Sequence, residues 1–233
     1  AAVGPWALLP VDAPALEYAT AIGEQRRMTL ADGTRVTLDP GSRLRVEYSE
    51  RERRLILDEG RAFFEVAKEV RPLFVRTVHG DVRAVGTQFE VYRHEGEMEV
   101  LLVEGKVMLS TGDGTGTAVA MRAGHKARLG PDHGNRPLVE ALAGAGAPPW
   151  LSGRLVFDDA SLQEVVDEFN RYSHRQIVLT DARLSDVHIT GVFRNDGMHA
   201  FLGALRDAYP ILVDTSTPGL VRLQPVPTGE VRY

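Results

Sequence analysis

The chain has 233 residues, 43% of them hydrophobic and 25% charged, with a net charge of −5. That is apolar material for more than one domain of roughly 100–150 residues, without the positive field that draws nucleic acid or an anionic membrane. Cysteine is absent, which removes disulfides, thiolate catalysis and cysteine-held metal together.

No apolar run approaches the ~18 residues of a membrane span, and no signal peptide is visible. The start at Ala1-Ala2-Val3 rather than at Met is expected of a fragment or a processed form, with any upstream segment, a membrane anchor included, out of view. After a lead segment, residues 1–20, residues 21–140 read as an all-β domain. Apolar and polar residues alternate in short runs punctuated by Asp32-Gly33, Gly60, Gly80, Gly105 and Gly124. Each glycine reads as the turn of a hairpin, and a recurrence every 19 to 27 residues predicts a β-roll or solenoid-like stack. The arginines of R43-L-R-V-E-Y-S-E-R-E-R-R54 alternate with glutamates, as on the solvated side of strands.

One run breaks the pattern. In V82-R-A-V-G-T-Q-F-E-V-Y-R93, Val82 and Ala84 share one parity, whereas Val85, Phe89 and Val91 share the other. A strand has a side-chain period of two, so Gly86-Thr87 is predicted to be a β-bulge that restores the phase. None of the seven histidines forms H-x-H or H-E-x-x-H, and His94 and Glu95 are expected on opposite strand faces. No metal site and no cofactor are therefore predicted.

Residues 141–149, small and ending in Pro148-Pro149, read as a linker. Residues 150–233 read as a small α+β domain. Ser161 and Glu164 form a capping box, and Leu162, Val165, Val166 and Phe169 make the buried stripe of a helix. The theme recurs 36 residues on, with Met198, Phe201, Leu202 and Leu205 in the corresponding places, so a duplicated β-α-β unit is predicted. Leu220, Val221, Arg222 and Leu223, between Pro218 and Pro225, read as an edge strand, either open to a partner strand or blocked from pairing by Pro225 and Pro227. There is no G-x-S-x-G, no phosphate-binding loop and no dinucleotide fingerprint. Asp158-Asp159 reads as charge favouring the following helix N-terminus rather than as a catalytic pair.

Several runs resemble the FecR family of anti-sigma regulators: G23-E-Q-R-R-M-T-L-A-D-G-T-R-V-T-L-D-P-G-S-R-L44, L57-D-E-G-R-A-F-F-E-V-A67, R71-P-L-F-V-R-T77, A84-V-G-T-Q-F-E-V91 and V103-E-G-K-V107. W150-L-S-G-R-L-V-F-D-D-A-S-L162, F169-N-R-Y172 and G191-V-F193 are similar to the STN-type module that ends such regulators. The resemblance implies the periplasmic region of a single-pass inner-membrane protein. Its partners would be the N-terminal signalling domain of a TonB-dependent outer-membrane receptor, commonly one for ferric siderophores, and periplasmic or intramembrane proteases. An extracytoplasmic-function sigma factor would be held by a cytoplasmic segment elsewhere in the protein. The resemblance also implies that Gly86-Thr87 is a candidate for self-cleavage by an N-to-O acyl shift; the plainer reading is a bend at Gly86 with Thr87 packed as a β-former. Two other readings stand beside it. One is a structural or polysaccharide-binding roll of the cell envelope, although aromatic residues are only 7%. The other is a periplasmic hydrolase or lyase, which requires a convergence of carboxylates or imidazoles.

Overall fold

The computed structural model describes residues 15–226 except 95, 113–117, 134–135, 143 and 145. Most of the lead segment 1–20 and part of the 141–149 linker lie outside the described residues. The chain divides into two units between Ala147 and Pro148, with Ile22–Glu24 grouped with the second.

The first unit is built from strands. They are β1 (Leu16–Ala19), β2 (Arg26–Thr29), β3 (Arg35–Leu38), β4 (Arg43–Tyr48), β5 (Arg53–Glu65), β6 (Leu73–Arg76) and β7 (Gly80–Ala84). After them come β8 (Gln88–His94), β9 (Glu97–Glu104), β10 (Lys106–Thr111), β11 (Val119–Arg122), β12 (His125–Leu129) and β13 (Leu138–Ala141).

One sheet runs β1-β4-β5-β6-β7-β10-β11 and the other β2-β3-β5-β8-β9-β12-β13. β5 belongs to both. Its first half pairs with β4 and β6, and its second half pairs with β3 and β8. Alternate residues turn into one shared core, with Leu44, Leu55, Leu57, Val75 and Val82 from the first sheet. Phe64, Phe89, Val91, Met98, Val100 and Leu102 come from the second. Each such side chain contributes about 1.5–3 kcal/mol by leaving water.

This arrangement corrects the hairpin reading of three glycines. Gly60 lies inside β5, where that strand passes from one sheet to the other. Gly105 and Gly124 likewise join strands of different sheets, β9 to β10 and β11 to β12. A local pattern of strand, glycine, strand is common to a hairpin and a crossing. Which one forms depends on the distant strands available for pairing. Hairpins do form at Asp32-Gly33, between β2 and β3, and just before Gly80, between β6 and β7.

Two buried ion pairs brace β5. Arg53, fully buried, donates to Asp32 Oδ2 at 2.7 Å and to the carbonyls of Ala67 and Arg71. Burial pushes the Asp32 carboxyl upward, but hydrogen bonds from Thr34, Tyr48 and Arg53 more than offset this and hold it below the usual aspartate value. At the other end, Arg61 donates to Asp39 at 2.9 Å and stacks over the Tyr92 ring.

The second unit begins with a 3-10 turn, Pro149–Ser152, that buries Trp150. Then come β14 (Arg154–Ser161), α1 (Leu162–Tyr172), β15 (Gln176–Leu179), β16 (His188–Arg194), α2 (Met198–Ala208), β17 (Ile211–Asp214) and β18 (Leu220–Pro225). The capping box forms as its spacing predicts: Ser161 Oγ accepts from the Glu164 amide, and the Glu164 carboxylate accepts from the Ser161 amide. Both helices bury the four positions that their periodicity marks. Phe169 and Phe201 stack at 4.6 Å and join the helices in the core.

β14 pairs with β16, and the remaining strands form a separate sheet, β15-β18-β17. Leu220–Leu223 is therefore central, parallel to β15 and antiparallel to β17, which corrects the edge reading. Pro218 precedes the strand and Pro225 ends it, so neither withholds a donor from the ladder.

Gly60 has φ +81, and a Cβ there would stand 2.6 Å from the Gly41 carbonyl oxygen and from Ser42 Cα. Gly60→Ala is expected to destabilise by roughly 2–5 kcal/mol, combining the left-handed backbone cost with overpacking. Gly124→Ala, at φ +82 with open space around it, carries only the first cost, about 1–2 kcal/mol. Urea denaturation of both variants reads the difference.

Candidate functional site

Gly86 and Thr87 lie between β7, in the first sheet, and β8, in the second. The change of parity is therefore a passage between sheets, not a bulge within one strand; the chain leaves one ladder at Ala84 and joins the other at Gln88. The bulge lies opposite, in β9. Gln88 faces Glu104 while Phe89 faces Leu102, which leaves Val103 as the extra residue.

Gly86 has φ +61, a conformation glycine adopts at no steric cost, so the residue stores no strain. The Lys68 side chain covers it closely enough that a Cβ at residue 86 would stand 2.7 Å from Lys68 Cγ. Thr87 is 2% exposed, and its carbonyl accepts from the Val66 amide at 2.9 Å. Its methyl group lies against Gly105, where a Cβ would stand 2.7 Å from Thr87 Cγ2 and 3.4 Å from the Gly86 carbonyl oxygen. The Thr87 hydroxyl is buried and has no hydrogen-bond partner among the described residues. A buried hydroxyl of this kind costs about 1–3 kcal/mol. No base among the described residues reaches it by a hydrogen bond.

Leu220, Val221, Arg222 and Leu223 form no docking edge. Val221 and Leu223 are buried, and Arg222 donates to Thr217 Oγ1 at 2.7 Å. Open ladder edges belong instead to β14 and β16 and to the outer sides of β15 and β17. On the outward face of the β14–β16 pair, Val156 and Val192 stand directly opposite each other, 51% and 61% exposed. Asp159 sits at φ +53 in an irregularity of β14, with its carboxylate 3.1 Å from His188 Nδ1. Hydrogen bonding to the Asp159 carbonyl and the charge of Asp159 raise the His188 imidazole above its ordinary value. Asp159 is thus paired with an imidazole and is not aligned with Asp158 as an acid couple.

A further grouping escaped the motif search. His94 ends β8, Glu97 begins β9 and Glu99 follows on the same face; their ligand atoms lie within 4.8 Å of one another. His133, from a 3-10 turn after β12, brings Nε2 to 3.4 Å from Glu97 Oε2. Glu99 is held by Lys126 at 2.7 Å and Arg128 at 2.9 Å. Burial pushes its carboxyl up, but these cations prevail and keep it below the usual range. Spacing could not reveal this set, since its imidazoles are 39 positions apart. Elsewhere, a cleft of about 530 Å³ is lined by Glu17, Arg43, Arg45, Asp58 and Glu59. Its charges answer one another, Arg45 with Asp58 at 2.7 Å and Arg43 with Glu59 at 3.3 Å.

A sequence profile described as FecR protein matches residues 17–108, and one described as FecR, C-terminal matches residues 154–216. The chain belongs to the FecR family. Two crystal structures described as a proposed anti-sigma factor from Parabacteroides distasonis ATCC 8503 share the fold, each with a TM-score of 0.77 and 26% identity. They cover 90% and 91% of this chain, and 99% of their own chains. No curated protein matches in sequence. The first FecR match contains Gly86, Thr87, His94, Glu97 and Glu99, whereas His133 lies outside both matches.

Replacing Thr87 by the isosteric Val removes the unpartnered hydroxyl and retains the packing against Gly105. Thr87→Val is expected to leave stability unchanged or raise it by up to about 1 kcal/mol, read as the midpoint of urea denaturation.

Proposed function

We propose that this chain is the extracytoplasmic sensor region of a membrane-anchored anti-sigma regulator. It binds the N-terminal signalling domain of a TonB-dependent outer-membrane transducer and relays the occupied state, commonly that of a ferric-siderophore receptor, to an extracytoplasmic-function sigma factor. The observation that carries this reading is the two FecR matches in order on a chain whose fold, over nine-tenths of its length, is that of a proposed anti-sigma factor. Among the described residues no helix is long and apolar enough to cross a membrane. Anchoring and sigma-factor binding belong to other segments of the regulator, and periplasmic and intramembrane proteases carry the message inward.

The second unit supplies the docking surface on this reading. Its similarity to STN-type modules is a resemblance in the sequence, and its physical support is the open edges of β14 and β16 with the exposed Val156–Val192 pair. An incoming strand pairs through backbone hydrogen bonds, which need no particular side chains, while outward side chains select the partner. Calorimetric titration with isolated receptor signalling domains is expected to show saturable binding to the cognate one, weakened by Val156→Asp and Val192→Asp. Heat-silent titrations with every candidate would remove the receptor reading.

Self-cleavage at Gly86-Thr87 is part of the same proposal. Thr87 Oγ1 adds to the Gly86 carbonyl carbon, the bond from that carbon to the Thr87 nitrogen breaks, and the hydroxyl proton passes to the departing amine. Water then hydrolyses the ester, leaving a carboxylate at Gly86 and restoring the Thr87 hydroxyl. The buried hydroxyl without a partner and the missing side chain at Gly86 support this chemistry. On a denaturing gel, wild type is expected to give two fragments and Thr87→Ala one full-length band. A single full-length band for both ends the cleavage proposal and leaves the docking proposal intact.

A further inference from the structure

We infer that the outward face of β7, β10 and β11 binds an extended acidic segment of another polypeptide, which joins the sheet at the open edge of β11. The inference concerns the first unit and is independent of the receptor and cleavage readings.

Register carries it. Lys106 of β10 stands directly opposite Arg122 of β11, and Met108 stands between Arg83 of β7 and Ala120 of β11. All five are exposed, while Val82, Val107, Leu109 and Met121 alternate with them into the core. The alternation therefore puts Arg83, Lys106 and Arg122 on one side of the sheet, around Met108. Side chains directly opposite each other have Cβ atoms about 4.5–5.5 Å apart, and like charges so placed destabilise the pair.

No carboxylate answers these cations. None of the three takes part in an ion pair among the described residues. The acids on the same side of the sheet are engaged elsewhere, Asp81 with Arg76 at 3.3 Å and Glu47 with Arg54 at 3.3 Å. Glu104 belongs to β9 in the second sheet, opposite Gln88. With a net charge of −5 over the chain, a cluster of unanswered cations is not a consequence of composition.

The ladder supplies the second observation. β11 pairs with β10 alone and ends its sheet. A strand added there continues the alternation, so its residues opposite Ala120 and Arg122 fall on the cationic side. Carboxylates at those positions meet Arg122 and relieve its repulsion from Lys106. Met108 and Val85, 38% and 54% exposed, add apolar surface beside the cations. An arginine whose only task was to guard the edge would need neither Lys106 opposite it nor Arg83 two strands inward. A lipid surface offers no backbone to the open ladder, and the net charge opposes its approach.

The probe is a short fluorescent peptide that alternates glutamate with threonine, titrated with the whole chain and read by anisotropy. Saturable binding is expected, and none for the peptide with lysine in place of glutamate. Arg122→Glu and Lys106→Glu are each expected to weaken binding by about tenfold or more. Arg206→Glu, an equal change of charge at an exposed position of the second unit, is expected to leave it unchanged. Lys106→Glu also turns a repelling pair into an attracting one, so its urea midpoint is expected to rise, which shows that the variant folds. Absence of binding to wild type, or binding that survives Lys106→Glu, overturns the inference. A peptide of the same composition with its glutamates in one block is expected to bind more weakly, and equal binding overturns the strand addition. Wild type that sediments with phosphatidylglycerol vesicles but ignores the alternating peptide assigns the face to a membrane and overturns the inference as well.

Discussion

β5 is the strand on which the first unit depends. Its thirteen residues give one half to each sheet, so the shared core exists only while this strand is continuous and correctly bent. Two buried guanidinium groups hold its ends, Arg53 against Asp32 and Arg61 against Asp39. Neither cation would be tolerated alone, because breaking a buried pair costs about 3–5 kcal/mol. The partners come from the β2–β3 turn and from the crossing after β3, so each ion pair ties β5 to a segment some 20 residues earlier. Between them, Gly60 makes the bend at which no side chain fits.

The same geometry accounts for the character of Gly86-Thr87. Strands that change sheets must do so at the end of the sandwich, where the two ladders part. The crossings at residues 86 and 105 lie side by side, and the methyl group of Thr87 packs on the bare Cα of Gly105. That close fit buries the neighbouring hydroxyl without offering it an acceptor. The hydroxyl is thus a polar atom kept out of water in a position that packing sets.

In the second unit the two helices contribute matching buried stripes, and four phenylalanines from β14, α1, β16 and α2 form its aromatic centre. The strands do not merge into one sheet. A two-stranded ladder and a three-stranded ladder leave several edges unpaired among the described residues, and an unpaired edge is where another polypeptide adds most readily. The exposed Val156–Val192 pair lies on this face, whereas Leu220–Leu223 is enclosed between two neighbours.

Local information was legible in the chain. Alternation marked the strands, the 3.6-residue period marked both helices and all eight of their core positions, and Ser161 with Glu164 marked a helix start, because each of these depends on neighbours within a few residues. The family was legible for the same reason, through short runs kept in order. Pairing partners were not. Whether Gly60, Gly105 and Gly124 turn or cross, whether Leu220–Leu223 is an edge, and that His133 meets Glu97, all depend on segments far apart in sequence. Tertiary structure decided them, because backbone hydrogen bonds are indifferent to side-chain identity and only the burial of a common core selects which strands become neighbours.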